Sequence, residues 1–263
     1  MTEVKTSIYL RKYGITLKKS LGQVFLSDER IARKIAANIP EDSQILEIGA
    51  GAGTLSVELL KRARKLVVVE IDTRFAPILR ERLGESDNVV IEMKDFLTMS
   101  LESYSSFIMC GNLPYHLATK ILERVLIETK TPLCIFMFQK EVAERILALP
   151  GSKVYGSLTV FVKACARVRK LFDIPPSMFV PNPKVMSAVV RIEPVRKVPE
   201  DFVELVRKAF SSRRKKLKNN LKIPQEIFEE ARIDPNMRPE NITVDEYLRL
   251  YEVVMRWRKT FTV

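Results

Sequence analysis

Hydrophobic and polar positions follow two different periods along the first three quarters of the chain. Short apolar runs rich in β-branched and aromatic residues predict strands at 44–49, 65–71, 88–93, 106–111, 133–139, 166–174 and 187–194. Apolar residues at helical spacing lie around and between the first five runs, at 28–38, 54–63, 74–83, 116–127 and 140–148. This alternation predicts an α/β fold with a doubly wound sheet. No helix of similar length separates the last two strands, so we expect an antiparallel edge there.

The pattern becomes helical after residue 195, with helices predicted near 200–221, 225–231 and 244–258. Thr243 and Glu246 have the spacing of a capping box at the start of the last helix. We therefore predict an α/β domain over 1–195, which begins with a basic segment over 1–26. A small helical domain follows over 196–263.

Charge changes the picture, because the net charge of +12 is concentrated at two places. Residues 211–222 hold six basic side chains and no acid, and residues 1–20 hold five basic side chains and one acid. Clustered positive charge indicates a nucleic-acid partner, although a solvated helix face is the simpler alternative. The predicted phosphate contacts are Lys18, Lys19, Arg213, Arg214, Lys215, Lys216 and Lys218.

Other features of the sequence limit the function classes. No apolar stretch is long enough to span a membrane, and the first residues lack the apolar core of a secretory signal, so we expect a cytoplasmic protein. Cys110, Cys134 and Cys165 are isolated and lack the spacing of metal ligands. We expect buried free thiols and no metal.

The first predicted strand runs into a glycine-rich turn, "EIGAGAG", with Gly49, Gly51 and Gly53 following Glu47. Glycines allow positive φ and close approach of a ligand to the backbone. The spacing differs from the dinucleotide fingerprint G-x-G-x-x-G, because position 54 is threonine. A tight structural turn remains the alternative.

Polar side chains follow the next three strands. Glu70 ends the second strand, where an acid can accept hydrogen bonds from ribose hydroxyls. Asp95 follows the third strand and is suited to an adenine amino group, although an ordinary turn residue is the alternative. The fourth strand leads into "NLPY", in which Pro114 fixes a corner that displays Asn112 and Tyr115. Together they predict a nucleoside-bearing cofactor and a second reactant at one edge of the sheet.

These motifs resemble those of S-adenosylmethionine-dependent adenine-N6 methyltransferases. The resemblance to the KsgA-type small-subunit ribosomal RNA adenine N6,N6-dimethyltransferase family extends over nearly the whole chain. It includes "KKSLGQVFL" (18–26), "FQKEVAERI" (138–146), "YGSLTV" (155–160), "PPSMFVPNPKVMSAVVRI" (175–192) and "FSSRRKKLKNNL" (210–221). It implies a Rossmann-like class I methyltransferase sheet and a small C-terminal helical domain.

The resemblance also implies roles for single residues. It places Gly49, Gly51, Glu70, Asp95 and Asn112 around S-adenosylmethionine, with Gln23 closing over the cofactor and Leu26 in the same motif. Tyr115 and Phe179 are expected to hold the target base between two aromatic rings. A core position is the alternative for Phe179. His116, the only histidine, is interpreted as part of a helix start and not as a base.

The "NLPY" corner suggests how an amino group could be methylated without a base. The lone pair of an adenine amino group is delocalised into the ring, so the group is a poor nucleophile. Asn112 Oδ1 and the Leu113 carbonyl, held in place by Pro114, are candidate acceptors for the two amino protons. Such acceptors would stabilise the positive charge that develops on the nitrogen.

The function implied by the resemblance is dimethylation of N6 on two adjacent adenines, in a hairpin near the 3′ end of small-subunit rRNA. Two alternatives stay open at this point. One is a ribosome-assembly factor whose methylation is dispensable, and the other is a large-subunit rRNA methyltransferase of the resistance type. We expect a monomer.

Overall fold

The computed structural model describes residues 5–17, 24–84 and 86–261. The chain forms two compact units, the first made of Met1–Ala143 and Arg169–Pro194 and the second of Glu144–Val168 and Val195–Val263. The division therefore differs from a single boundary after residue 195. Residues 144–168 belong with the C-terminal helices because the helix they contain packs against those helices.

A seven-stranded sheet has the strand order β4-β3-β2-β5-β6-β9-β7. The strands β2 to β6 pair in parallel, and β9 pairs antiparallel with β6. Their bounds are β2 Ser43–Ile48, β3 Ala63–Val69, β4 Val89–Glu92, β5 Ile108–Asn112, β6 Cys134–Gln139, β7 Ala166–Ile174 and β9 Ser187–Pro194. The α/β fold is confirmed, and the last two strands lie at one end of the strand order.

The second half of β2 and of β3 is fully buried, as is typical of parallel strands covered on both faces. Two short strands, β1 (Phe25–Leu26) and β8 (Phe179–Val180), form a separate antiparallel pair. The helices before β6 are α1 Lys5–Lys12, α2 Glu29–Ala36, α3 Thr54–Leu60, α4 Ala76–Leu83 and α5 Ala118–Glu128. The parallel order brings the ends of β2, β3, β4 and β5 to one edge of the sheet.

The remaining helices follow β6. They are α6 Lys140–Leu147, α7 Ser157–Cys165, α8 Glu200–Ala209, α9 Leu217–Leu221, α10 Gln225–Glu230 and α11 Val244–Phe261. The predicted capping box of α11 is confirmed. Glu246 N donates to Thr243 Oγ1 over 3.2 Å, and Thr243 N donates to Glu246 Oε2 over 2.7 Å.

Two differences from the predicted helices have physical causes. Helix α7 was not predicted, because seven of its nine residues are buried and its sequence has no polar face. The predicted helix over 200–221 is interrupted after Ala209. There the buried Asn220 Nδ2 donates to the carbonyls of Ala209, over 2.6 Å, and Ser212, over 3.0 Å, which closes a turn.

No helix in the described part of the chain is both long enough and apolar enough to cross a membrane.

Candidate active site

The glycine turn after β2 forms the first wall of the site. Gly49, Gly51 and Gly53 have φ of 75°, 53° and 74°, so all three lie in the region that favours glycine. Gly51 N donates to Glu70 Oε2 over 2.8 Å. A Cβ on Gly51 would lie 2.4 Å from Phe25 Cδ1, so only glycine fits at this position.

An open cavity lies beside this turn at the ends of β2 to β5. Its empty volume, which includes space open to solvent, is about 800 Å³. The predicted site residues that line it are Gly49, Glu70, Asp95, Asn112, Leu113, Pro114 and Tyr115. The fold thus brings together residues that are far apart in the sequence.

Asn112 lines the cavity and has an unpartnered acceptor. Its Nδ2 donates to the carbonyl of Val24 over 2.7 Å, which fixes the orientation of the amide. Its Oδ1 is buried and has no hydrogen-bond partner within the described protein. Leaving such an atom unpaired costs about 1–3 kcal/mol, so the position is adapted to a donor from a bound molecule.

The corner after Asn112 packs against the glycine turn. A Cβ on Gly49 would lie 3.6 Å from the backbone oxygen of Asn112 and 3.9 Å from Pro114 Cδ. Leu113 is almost fully buried. Because Gly49 has no side chain, the "NLPY" corner packs closely against the glycine turn.

Tyr115 is held by a residue that sequence reasoning missed. Its hydroxyl oxygen lies 2.9 Å from Ser187 Oγ, and Ser187 is fully buried at the start of β9. Burial raises the pKa of Tyr115, so the hydroxyl stays protonated. The only sequence signal was that Ser187 interrupts an apolar strand motif, "VMSAVV".

The turn after β4 carries Asp95. Asp95 Oδ1 accepts from Leu97 N over 2.8 Å, and Thr98 N and Met99 N both donate to the Asp95 carbonyl over 3.1 Å. Asp95 therefore stabilises its own turn, as Asp often does after a strand. It also lines the cavity, together with Phe96 and Leu97.

Two buried acids lie near the glycine turn. Glu70 accepts from Asp72 N over 2.9 Å as well as from Gly51 N, and burial raises its pKa against the effect of these donors. Burial raises the pKa of Glu47 to about 7, with a contribution from Glu70. Glu47 Oε2 has no hydrogen-bond partner in the described protein.

The remaining predicted site residues lie elsewhere. Phe179 is fully buried rather than displayed, because β8 pairs with β1 and turns this side chain into the core. Leu26, its partner in that pair, is also buried in the core, and neither is among the described residues that line the cavity. Leu26 does line a smaller pocket together with Glu47, Gly49 and Asn112. His116 is exposed just before α5, as expected for a helix start. Lys18, Lys19 and Gln23 lie outside the described residues.

The basic segment lies in the second compact unit. The turn closed by Asn220 exposes the side chains of Arg213, Arg214, Lys215 and Lys216, and Lys218 is exposed on α9. Lys216 Nζ donates to Asn236 Oδ1 over 3.2 Å. This exposure suits phosphate contacts, which position a nucleic acid without reading its sequence.

The cavity fits the S-adenosylmethionine implied by the resemblance. The Oδ1 of Asn112, which lines the cavity, is buried and unpartnered, and the Oε2 of Glu47 beside the turn is unpartnered as well. Glu70 and Asp95 provide acceptors at the next two strand ends. Within the described residues, no group of three or more His, Cys, Asp or Glu side chains is placed to hold a metal ion.

Known sequences match this chain along almost its whole length. The family model described as ribosomal RNA adenine dimethylase matches residues 14–256. A Thermotoga maritima protein named ribosomal RNA small subunit methyltransferase A is 46% identical over 261 residues, covering 98% of this chain and 91% of the relative. A Bacillus pumilus protein with the same name is 36% identical over 285 residues, covering 97% of each chain.

Solved structures show the same fold. A dimethyladenosine transferase from Plasmodium falciparum has a TM-score of 0.78 and 26% identity, covering 89% of this chain and 98% of its own. The 23S rRNA methyltransferase ErmE has a TM-score of 0.69 and 26% identity, covering 88% of this chain and 99% of its own. The predicted Rossmann-like methyltransferase fold is thereby confirmed.

Proposed function

This chain belongs to the ribosomal RNA adenine dimethylase family, and we propose that it dimethylates N6 of two adjacent adenines in a hairpin near the 3′ end of small-subunit rRNA. Enzymes of the family use S-adenosylmethionine as the methyl donor. The choice of the small subunit is supported by the names of the relatives at 36% and 46% identity.

One observation carries the proposed chemistry, namely the unpartnered Oδ1 of Asn112 at the end of β5. This oxygen accepts one proton of the target amino group, and the Leu113 carbonyl accepts the other. Both acceptors are fixed before the substrate arrives, Asn112 by its bond to Val24 and Leu113 by Pro114. Preorganised acceptors stabilise the positive charge on the nitrogen without reorganising during the reaction.

Bound S-adenosylmethionine supplies a methyl group on a sulfonium, whose sulfur leaves as a neutral thioether. Glu70 would accept from the ribose hydroxyls and Asp95 from the adenine amino group of the cofactor. Gly49 and Asn112 line the cavity and would contact the cofactor, and the resemblance implies the same for Gly51. No side chain of the corner is required as a base, because the proton of the methylated nitrogen is lost to water.

Tyr115 stacks on the target base, with its ring held by Ser187. A second aromatic contact from Phe179 would require this side chain to leave the core, so the proposed clamp consists of Tyr115 alone. The exposed basic segment 213–218 binds RNA phosphates. Roles for Lys18, Lys19, Gln23 and Leu26, a monomeric state and a cytoplasmic location stay predictions.

The two alternative functions are not favoured. The large-subunit enzyme ErmE shares the fold, but its TM-score of 0.69 is below the 0.78 of the dimethyladenosine transferase. An assembly factor without methylation would have no use for the unpartnered acceptor of Asn112.

Transfer of labelled methyl groups to ribosomal subunits that lack the modification tests this proposal. We expect incorporation into the RNA of small subunits, with N6,N6-dimethyladenosine as the labelled nucleoside. Incorporation into large subunits instead would assign the chain to the resistance-type enzymes, and binding of the cofactor without any transfer would favour the assembly factor.

A further inference from the structure

Helix α5 begins directly after the "NLPY" corner and contacts the cavity along one face. Leu117 and Ile121 line the cavity. Arg124 follows at the next helical spacing, so it lies on the same face one turn further from the corner. Its side chain is 14% exposed, which is low for an arginine.

The guanidinium of Arg124 is bonded to the turn that carries Asp95. Its terminal nitrogens donate to the carbonyl of Phe96 and, over 2.5 Å, to the carbonyl of Met99. The Cζ atom of the guanidinium lies 5.4 Å from the centroid of the Phe96 ring. The Nε donates to Glu128 Oε1 over 2.9 Å, and Glu128 is 45% exposed.

We propose that Arg124 is a positioning residue that sets the specificity of the cofactor site for adenine. This inference rests on the proposed role of Asp95 toward the cofactor's adenine. Asp95 closes its turn from within, through bonds to residues 97–99. Arg124 fixes the same turn from α5, and so determines where the Asp95 carboxylate lies relative to the cavity.

The fork of an arginine is suited to this task. It presents several N–H donors in a fixed plane, so two carbonyls that are three residues apart can be bound at once. A lysine keeps the positive charge but is a point donor that cannot reproduce this geometry. Because α5 also follows the target corner, Arg124 links the turn on the cofactor side to the helix on the target side.

The test compares the affinities of two cofactor products by calorimetry. For Arg124→Lys we expect binding of S-adenosylhomocysteine to weaken about tenfold, as for the loss of one charged hydrogen bond. Binding of S-inosylhomocysteine, which carries a carbonyl in place of the 6-amino group, should change less than about twofold because that carbonyl cannot donate to the Asp95 carboxylate. The variant should therefore prefer adenine over hypoxanthine less strongly than the wild-type protein does.

Glu128→Gln is the matched control. It removes the exposed ion pair of Arg124 and leaves both carbonyl bonds, so both affinities should stay at the wild-type values. If Arg124→Lys weakens both ligands equally, or neither, the specificity role is wrong. The assay uses no RNA, so its outcome is independent of whether small-subunit rRNA is the substrate.

A second measurement on the wild-type protein does not depend on how the variant folds. Amide hydrogen exchange at residues 97–99 should slow more on binding of S-adenosylhomocysteine than on binding of S-inosylhomocysteine. The amides of these residues donate to Asp95, and only the adenine amino group adds a further bond to its carboxylate. Equal protection by the two ligands would contradict the proposal.

Discussion

At the scale of single residues, the site depends on hydrogen bonds that orient a side chain for a ligand. Val24 fixes the Asn112 amide so that Oδ1 is left for a donor, and Ser187 fixes the Tyr115 ring from a fully buried position. Both partners lie in segments that carry the family resemblance, but neither was predicted as a site residue. Their contribution is orientation, which costs little when it is built into the folded protein.

The Ser187–Tyr115 contact predicts non-additive effects of mutation. Ser187→Ala and Tyr115→Phe should each lower kcat/KM for unmodified small subunits about tenfold, because each removes the same hydrogen bond. The double variant should be no worse than either single variant. The measurement is a double-mutant cycle on kcat/KM, with S-adenosylhomocysteine affinity as the control that should not change. Multiplicative losses in the double variant would show that Ser187 acts independently of Tyr115.

The buried Glu47 carboxyl should lower the stability of the protein when it becomes charged at high pH. Burial raises its pKa to about 7 from the ordinary 4.5, so the native protein binds more protons than the unfolded chain between these values. The free energy of unfolding therefore falls as pH rises through that window, by about 3 kcal/mol in total.

Replacing Glu47 removes this cost. Glu47→Gln should have a higher Tm than the wild type at pH 8 and a similar Tm at pH 4, where the wild-type carboxyl is protonated in both states. Thermal unfolding at the two pH values measures this. An unchanged Tm at pH 8 would mean that Glu47 is charged at no cost in the native protein.

At the scale of elements, the alternation of strands and helices was sufficient to predict the sheet. Each of the seven predicted strands overlaps a strand of the sheet. The buried helix α7 was missed because it lacks a polar face, and the break after Ala209 was missed because Asn220 acts through a tertiary contact. The strand-end residues Glu70, Asp95 and Asn112 were predicted because the ends of strands can be read from the sequence. Ser187 and Arg124 were not predicted because they act through tertiary contacts.

The glycine turn gives a prediction at this scale. Gly51→Ala places a Cβ 2.4 Å from Phe25, whose ring packs 5.1 Å from that of Phe75. The turn or the Phe25 ring must then shift, and S-adenosylhomocysteine affinity should fall at least about tenfold. Calorimetric titration checks this value.

Gly14→Ala is the control for backbone strain alone. Gly14 has a φ of 62°, and a Cβ there would meet nothing within 4 Å. This variant should lose about 1–2 kcal/mol of stability and keep its cofactor affinity. Equal affinities of the Gly51 variant and the wild type would contradict the close approach of Phe25 to the turn.

At the scale of the whole molecule, the positive charge is divided between an exposed basic segment and cations that pair with nearby acids. The segment 213–216 is exposed and contains no acid. Many other cations pair with carboxylates nearby, as Arg30 does with Asp28 and Lys61 with Glu58. The clustered charge of this segment was visible in the sequence, and the structure adds that its basic side chains are exposed.

Neutralising the exposed segment should weaken RNA binding and its dependence on salt. With Arg213, Arg214, Lys215 and Lys216 changed to Gln, the slope of log K against log salt should fall by about 3, if each residue neutralises one phosphate. Binding to small subunits at several salt concentrations measures the slope.

A control with the same change in net charge uses cations outside this segment. Three of these cations pair with acids and the fourth lies over an aromatic ring, so their replacement should change the slope less; the four are Arg30, Arg33, Lys61 and Lys34. Equal changes in the two variants would show that RNA binding depends on total charge and not on the segment.

We propose above all that methyl transfer depends on the unpartnered Oδ1 of Asn112, which accepts a hydrogen bond from the target amino group. Single-turnover transfer to unmodified small subunits, measured for the wild type, Asn112→Ala and the control Asn38→Ala, tests this most directly, with S-adenosylhomocysteine affinity measured in parallel. We predict that Asn112→Ala slows transfer about 100- to 1000-fold while affinity stays within about threefold, and that the control behaves as the wild type. Transfer by Asn112→Ala at the wild-type rate would contradict the account.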